Sequence, residues 1–121
     1  AELVIVQDIY PTETTHHADV LLPAAGWLEK AGTMTNSDRR ISLLEQAVDA
    51  PGEALADAEI LLKFAHAMGW GQSFDYRSPA DIFNEHARLT ANADCDITAL
   101  AHEVLRAQGP TQWPAPRGRA A

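Results

Sequence analysis

Gln7, Asp8, Lys30 and Asp57 are polar side chains at places where a ligand contact and a purely structural role are both open. Gln7 and Asp8 end the apolar run Leu3–Val6. A polar pair at the carboxyl end of a parallel strand occupies the place where open α/β sheets bind ligands, beside the plainer reading of Asp8 as a stabiliser of the turn that follows. Lys30 follows Trp27-Leu28-Glu29. Its ammonium suits a phosphate, or a surface pair with Glu29 or Asp38. Asp57 precedes an apolar pattern of helical period and reads first as an N-cap, then as an acceptor for a base or ribose. Arg39-Arg40 is a local cationic spot that suits an anionic ligand or a solvated turn.

The remaining reactive residue types carry less. His16-His17, Asp8, Asp19, His66, His86 and His102 raise a metal site. Adjacent histidines diverge, however, whereas a helical zinc pair needs ligands on one face at i and i+4. The histidines are therefore expected to be solvated or capping, and no residue is assigned to a metal or to catalysis. Cys95 lies between Asp94 and Asp96, whose charges raise a thiol pKa, so an inert side chain is expected. A single cysteine also excludes an internal disulfide, a multi-cysteine zinc site and a thiolate-held iron–sulfur cluster. No Walker loop, GxSxG elbow or GxGxxG is present, and Gly69-Trp70-Gly71 follows a helix and reads as a C-cap turn.

The elements that must position these groups form an α/β pattern. Leu3–Val6 is an apolar, β-branched run of the kind covered on both faces in a parallel sheet. Thr12 is a plausible N-cap for a short helix through His17, and Asp19–Pro23 reads as the next strand. Gly32–Asn36 and Arg40–Leu44 alternate around Ser37-Asp38-Arg39, which gives a β-hairpin or a long loop. Three amphipathic helices follow. The first has Asp57 as N-cap, an apolar face of Ile60, Leu61, Phe64, Ala65 and Met68, and Gly69 at C′. The second starts at Ser78-Pro79 and carries Ile82, Phe83 and Ala87 to about Thr90. The third has Asp96 as N-cap, then Ile97, Leu100, Ala101, Val104 and Leu105, and stops at Gln108-Gly109-Pro110. The fold class expected is thus α/β, a partial parallel sheet with the hairpin or loop and about three helices. With only two convincing sheet strands the sheet is incomplete, which suggests an intertwined oligomer or a slice of a larger α/β protein.

Composition narrows the function classes. At 121 residues, 46% apolar and 21% charged, the chain is an ordinary globular length and mix, which excludes disorder and coiled coil. A net charge of −8 repels a phosphate backbone, so no nucleic-acid partner is expected. No apolar run approaches the roughly 18 to 20 residues that span a bilayer, and AELVIVQD carries no export signal. A cytoplasmic location is the expectation.

The run VIVQDIYPTETTHHADVLLPAAGWLEKAGTMTNSDRRISLLEQAVDAPGEALADAEILLKFAHAMG, covering about residues 3 to 69, resembles the molybdopterin oxidoreductases of the dimethyl sulfoxide reductase family. The strand ending QD, the PTET turn, ADVLLPAAGWLEKAGTMTNSDRR and the PGEA…D segment carry the resemblance in order. SPADIFNEHARLT, DCDIT and QWP look most like the assimilatory nitrate reductase branch, with periplasmic nitrate reductases and formate dehydrogenases as neighbours. The resemblance implies a molybdenum enzyme with two molybdopterin guanine dinucleotides and a four-iron cluster, the cluster lying outside this chain. It implies that Gln7, Asp8, Lys30 and Asp57 contact the dinucleotide. Residues 1–70 then form the dinucleotide-binding α/β segment, 71–110 a helical extension of it, and 111–121 a loop or linker tail.

The reaction expected of the parent enzyme is nitrate reduction to nitrite, with formate dehydrogenation as the alternative. The isolated chain is not expected to be catalytically competent. Its expected partners are the remaining domains of the parent and an unidentified electron donor. A free-standing α/β interaction module without cofactor is the alternative from another class.

Overall fold

A computed structural model describes residues 1–118. The chain divides into two compact units, Ala1–Lys30 with Gln46–Asp75, and Ala31–Glu45 with the residues from Tyr76 onward.

In the first unit, β1 (Ile5–Asp8) pairs in parallel with β2 (Val20–Pro23), placing Ile5 opposite Val20 and Asp8 opposite Pro23. Branched Ile5, Val6 and Val20 favour the extended backbone. The strand–turn–strand unit is as expected, but β1 runs two residues later than Leu3–Val6 and is not buried on both faces: Leu3 and Ile5 are exposed. Among the described residues β1 has one partner strand, which pairs along its edge and leaves its faces to be covered by other layers. The connection holds a 3-10 turn at Thr15–His17 rather than a helix capped by Thr12. Thr12 instead accepts, through its carbonyl, both the amide and the hydroxyl of Thr15.

Parallel pairing continues past β2. Ala24 bridges Leu55, and the Leu55 amide donates to the Pro23 carbonyl at 3.2 Å. The start of α1 (Asp57–Ala67) is thereby held beside the carboxyl ends of β1 and β2. Ala56, not Asp57, is the N-cap. Its amide donates to Glu59 Oε2, which leaves Asp57 in the first turn with its carboxylate available to other donors. The helix ends as expected, with Gly69 at φ +84°, a conformation that favours glycine at C′. Ile60 and Ala65 are buried, whereas Leu61, Phe64 and Met68 of the expected core face are exposed.

The second unit holds the hairpin: β3 (Gly32–Thr35) antiparallel to β4 (Arg40–Leu44), with β5 (Thr111–Gln112) on the far edge of β4. Asn36 closes the turn, its Oδ1 accepting from the amides of Asp38 and Arg40. Helix α2 (Pro79–Leu89) is capped by Ser78, whose Oγ accepts the Asp81 amide, with Pro79 at the first helical position. Helix α3 spans only His102–Gln108. Asp96 caps a single turn, accepting from Thr98 N and Oγ1, and the Ala99 amide donates to Ala115 O instead of continuing a helix. The core of this unit is Ile41, Phe83, Ala87, Ile97, Leu100 and Leu105, with Trp113 packed on it. The stretch 111–121, expected as loop, thus begins with a short strand; residues 119–121 lie outside the described residues.

Candidate dinucleotide-contacting site

Three of the four expected site residues come together in the first unit. Side chains alternate along a strand, so Gln7 and Asp8 project from opposite faces of β1. Gln7 reaches the first turn of α1, where its Nε2 donates to Asp57 Oδ1 at 2.7 Å. Lys30, just after the 3-10 turn Trp27–Glu29, donates from Nζ to Asp57 Oδ2 at 2.5 Å. One carboxylate therefore gathers an amide from the end of β1 and an ammonium from the segment after β2.

Asp8 is not part of this cluster. Its Oδ1 accepts the Ile9 amide at 2.8 Å and its Oδ2 the Thr12 hydroxyl at 3.3 Å, so its carboxylate shapes the loop leaving β1. Neither sequence-level partner of Lys30, Glu29 or Asp38, takes its ammonium. Glu29 instead accepts the Gly26 amide, and Asp38 pairs with Arg40.

The electrostatics favour an ionised Asp57. The hydrogen bond from Lys30 is the largest cause and holds the carboxyl below the usual carboxylate range; partial burial opposes this, and Gln7 assists it. The N-terminal turn of α1 is also where a negative charge is favoured. The Lys30 side chain is 27% exposed and that of Asp57 53%, so the outer lone pairs of the carboxylate face solvent. A carboxylate with spare lone pairs beside an ammonium with spare N–H groups can accept from base or ribose donors and offer charge to a phosphate. This donor and acceptor set fits a nucleotide.

The other candidates lie elsewhere. A cleft lined by His66, Gly69, Gly71, Gln72 and Asp75 opens at the C-terminal end of α1, about 15 Å along the helix from Asp57 at 1.5 Å per residue. None of the expected contact residues lines it. Among the described residues no group of three or more His, Cys, Asp or Glu side chains is arranged around a metal, and Cys95 is exposed. Arg39 stacks on Trp113, with its guanidinium carbon 5.3 Å from the ring centroid. His16, His17, His66 and His86 are exposed, but His102 is buried, against the expectation of a solvated or capping histidine. The signal was present in the spacing of His102 and Leu105 on one face of α3, obscured by the earlier expected helix start.

The profile of the family described as Molybdopterin oxidoreductase matches residues 1–67, more than half of the chain. The chain belongs to the molybdopterin oxidoreductase family. That family implies a molybdenum and molybdopterin cofactor for the enzyme of which such a chain is part. The chain is 51% identical over 113 residues to the F420-dependent formate dehydrogenase subunit alpha of Methanocaldococcus jannaschii, covering 93% of this chain and 16% of that protein. It is 44% identical to a nitrate reductase of a Synechocystis species, covering 91% of this chain and 16% of that protein. It is 40% identical to the assimilatory nitrate reductase catalytic subunit of Bacillus subtilis, covering 90% and 15% respectively. The chain thus spans about a sixth of the length of these oxidoreductase relatives. No described helix is long and apolar enough to cross a membrane.

Proposed function

We propose that this chain is the part of a molybdenum oxidoreductase that holds the nucleotide end of one molybdopterin guanine dinucleotide. In this reading Lys30 and Asp57 contact the dinucleotide, Gln7 fixes the Asp57 carboxylate, and Asp8 shapes the adjoining loop. The observation that carries the reading is the meeting of Gln7 and Lys30 on Asp57 at the carboxyl ends of β1 and β2. When bound, the molybdenum centre would supply two-electron chemistry, taking nitrate, two electrons and two protons to nitrite and water. A four-iron cluster held outside these 121 residues would deliver the electrons from a donor protein or domain.

Formate oxidation is the second reading, supported by the 51% identity to a formate dehydrogenase subunit. Contacts that choose between nitrate and formate are expected on the rest of the parent polypeptide, which would also be this chain's main partner.

The test is to purify the natural polypeptide bearing this sequence and measure its mass, molybdenum and the guanine nucleotide released by acid. The expected result is a chain several times 13.1 kDa with both present. Lys30→Ala and Asp57→Ala should each lower nucleotide retention about tenfold, since a hydrogen bond to a charged group contributes about 1.5–3 kcal/mol and about 1.4 kcal/mol is a factor of ten. Undiminished retention in both variants would remove the site assignment, and absence of molybdenum would remove the function. Assays with nitrate and with formate then separate the two readings.

A further inference from the structure

His102 opens α3 with only 7% of its surface exposed, and its ring lies 5.5 Å from that of Phe83 on α2 at a 50° tilt. Its Nε2 is buried and has no hydrogen-bond partner among the described residues. A buried imidazole without a partner is tolerable when neutral and costly when charged. Three features make the charged form unfavourable here. The ring sits against an aromatic side chain in the unit's interior. It occupies the first helical position, where the backbone N–H groups present partial positive charge. The carboxylate from another element that acts on the ring, Glu45 after β4, is engaged through Oε1, which takes Arg106 Nε at 2.9 Å and a terminal guanidinium nitrogen at 2.7 Å.

We propose that His102 is an acid-sensitive latch: protonation of its imidazole drives the ring away from Phe83 and releases α3 from the core of the second unit. The charged groups acting on the ring are Glu103 and Arg106 on its own helix and Glu45 from the end of β4, while α2 packs the Phe83 ring against it. Burial is the largest influence and holds the imidazole below its ordinary range; Glu103 and Glu45 oppose this, and Arg106 reinforces it. The sign follows. The released histidine titrates near pH 6.5 and binds its proton before the packed one does, so falling pH favours the released state. Opening of α3 rises by up to tenfold per pH unit between about 6.5 and the midpoint of the packed ring, then levels off. Glu45 gives the released state a place to go, because an imidazolium competes with Arg106 for its carboxylate. The Glu45–Arg106 pair joins β4 to α3, so that competition loosens the same junction.

The experiment is hydrogen–deuterium exchange by mass spectrometry on the full natural polypeptide over pH 4.5 to 8, read at the carbon-bound ring hydrogen of His102 and at the amides of 102–108. The expected result is a His102 midpoint below 6.5, together with amide exchange in α3 that, relative to the intrinsic rate, which itself slows on acidification, accelerates as the pH falls. His102→Gln should remove that acceleration. His102→Phe, which keeps an apolar ring against Phe83, should do the same if the glutamine variant fails to fold. A His102 midpoint at or above 6.5, or acid acceleration that persists in the variants, overturns the proposal. The ring readout needs no variant, so misfolding of both substitutions still leaves it decisive.

Discussion

The Lys30–Asp57 contact should behave as a coupled pair whose size is set by its partial exposure, and a double-mutant cycle of Lys30→Met and Asp57→Asn measures it. Fully exposed ion pairs give about 0.2–1 kcal/mol in such cycles. Lys30 is largely covered and Asp57 half exposed, and Oδ2 receives the ammonium at 2.5 Å, which places this pair near the upper end, at about 0.5–1 kcal/mol. The asparagine retains an amide oxygen for Gln7 Nε2, so the cycle removes the charge interaction while leaving the neutral hydrogen bond a partner. For a chain of this length that coupling corresponds to about 2–4 °C in midpoint. Urea unfolding followed by far-ultraviolet circular dichroism gives the midpoints for the cycle. The coupling should shrink with added salt, since the Debye length falls to about 3 Å at 1 M. A coupling of zero, with each single variant behaving as an isolated surface change, would refute the claim that Asp57 organises the site.

Other perturbations follow from the same geometry. Because the Asp57 carboxyl is held below its usual value of about 3.9, its contribution to stability is present above that pH and is lost as pH falls through the folded value. Acid unfolding below about pH 4 should therefore be less steep in Asp57→Asn. Ser78→Ala removes the side-chain acceptor at the start of α2 and should cost about 1 kcal/mol, measured as a shift in the urea midpoint without a change in slope. Phe83→Ala empties the centre of the second unit's core and should cost about 3–5 kcal/mol, seen as early loss of the Trp113 signal on denaturation.

Much of the local structure was legible because its causes lie within a few residues. The branched run before Gln7-Asp8 makes a strand, alternation around Ser37-Asp38-Arg39 makes a hairpin, and Ser78-Pro79 and Gly69 mark helix ends with side-chain or backbone chemistry of their own. The N-cap of α1 lies one residue before the Asp57 that its sequence indicates. A cap is decided by which amide is satisfied, and Glu59 reaching back to the Ala56 amide did this without a polar residue at the cap. The expected burial of Ile5, Leu61, Phe64 and Met68 failed for a different reason: periodicity identifies an apolar face but not what covers it.

The sequence by itself determined the residue types of the candidate site, the strand end that presents Gln7 and Asp8, and the family to which the chain belongs. Only the tertiary structure decided which of those residues act together. Strand alternation separates Gln7 from Asp8, and the parallel bridge between Ala24 and Leu55 holds the start of α1 beside the strand ends. Asp57 thereby meets an amide 50 positions away and an ammonium 27 positions away. His102 was decided in the same way. The Ala115 carbonyl takes the Ala99 amide, α3 starts late, and a histidine that reads as a surface residue is turned into the core beside Phe83. Both outcomes depend on contacts between residues far apart in the chain, whose register no local pattern encodes.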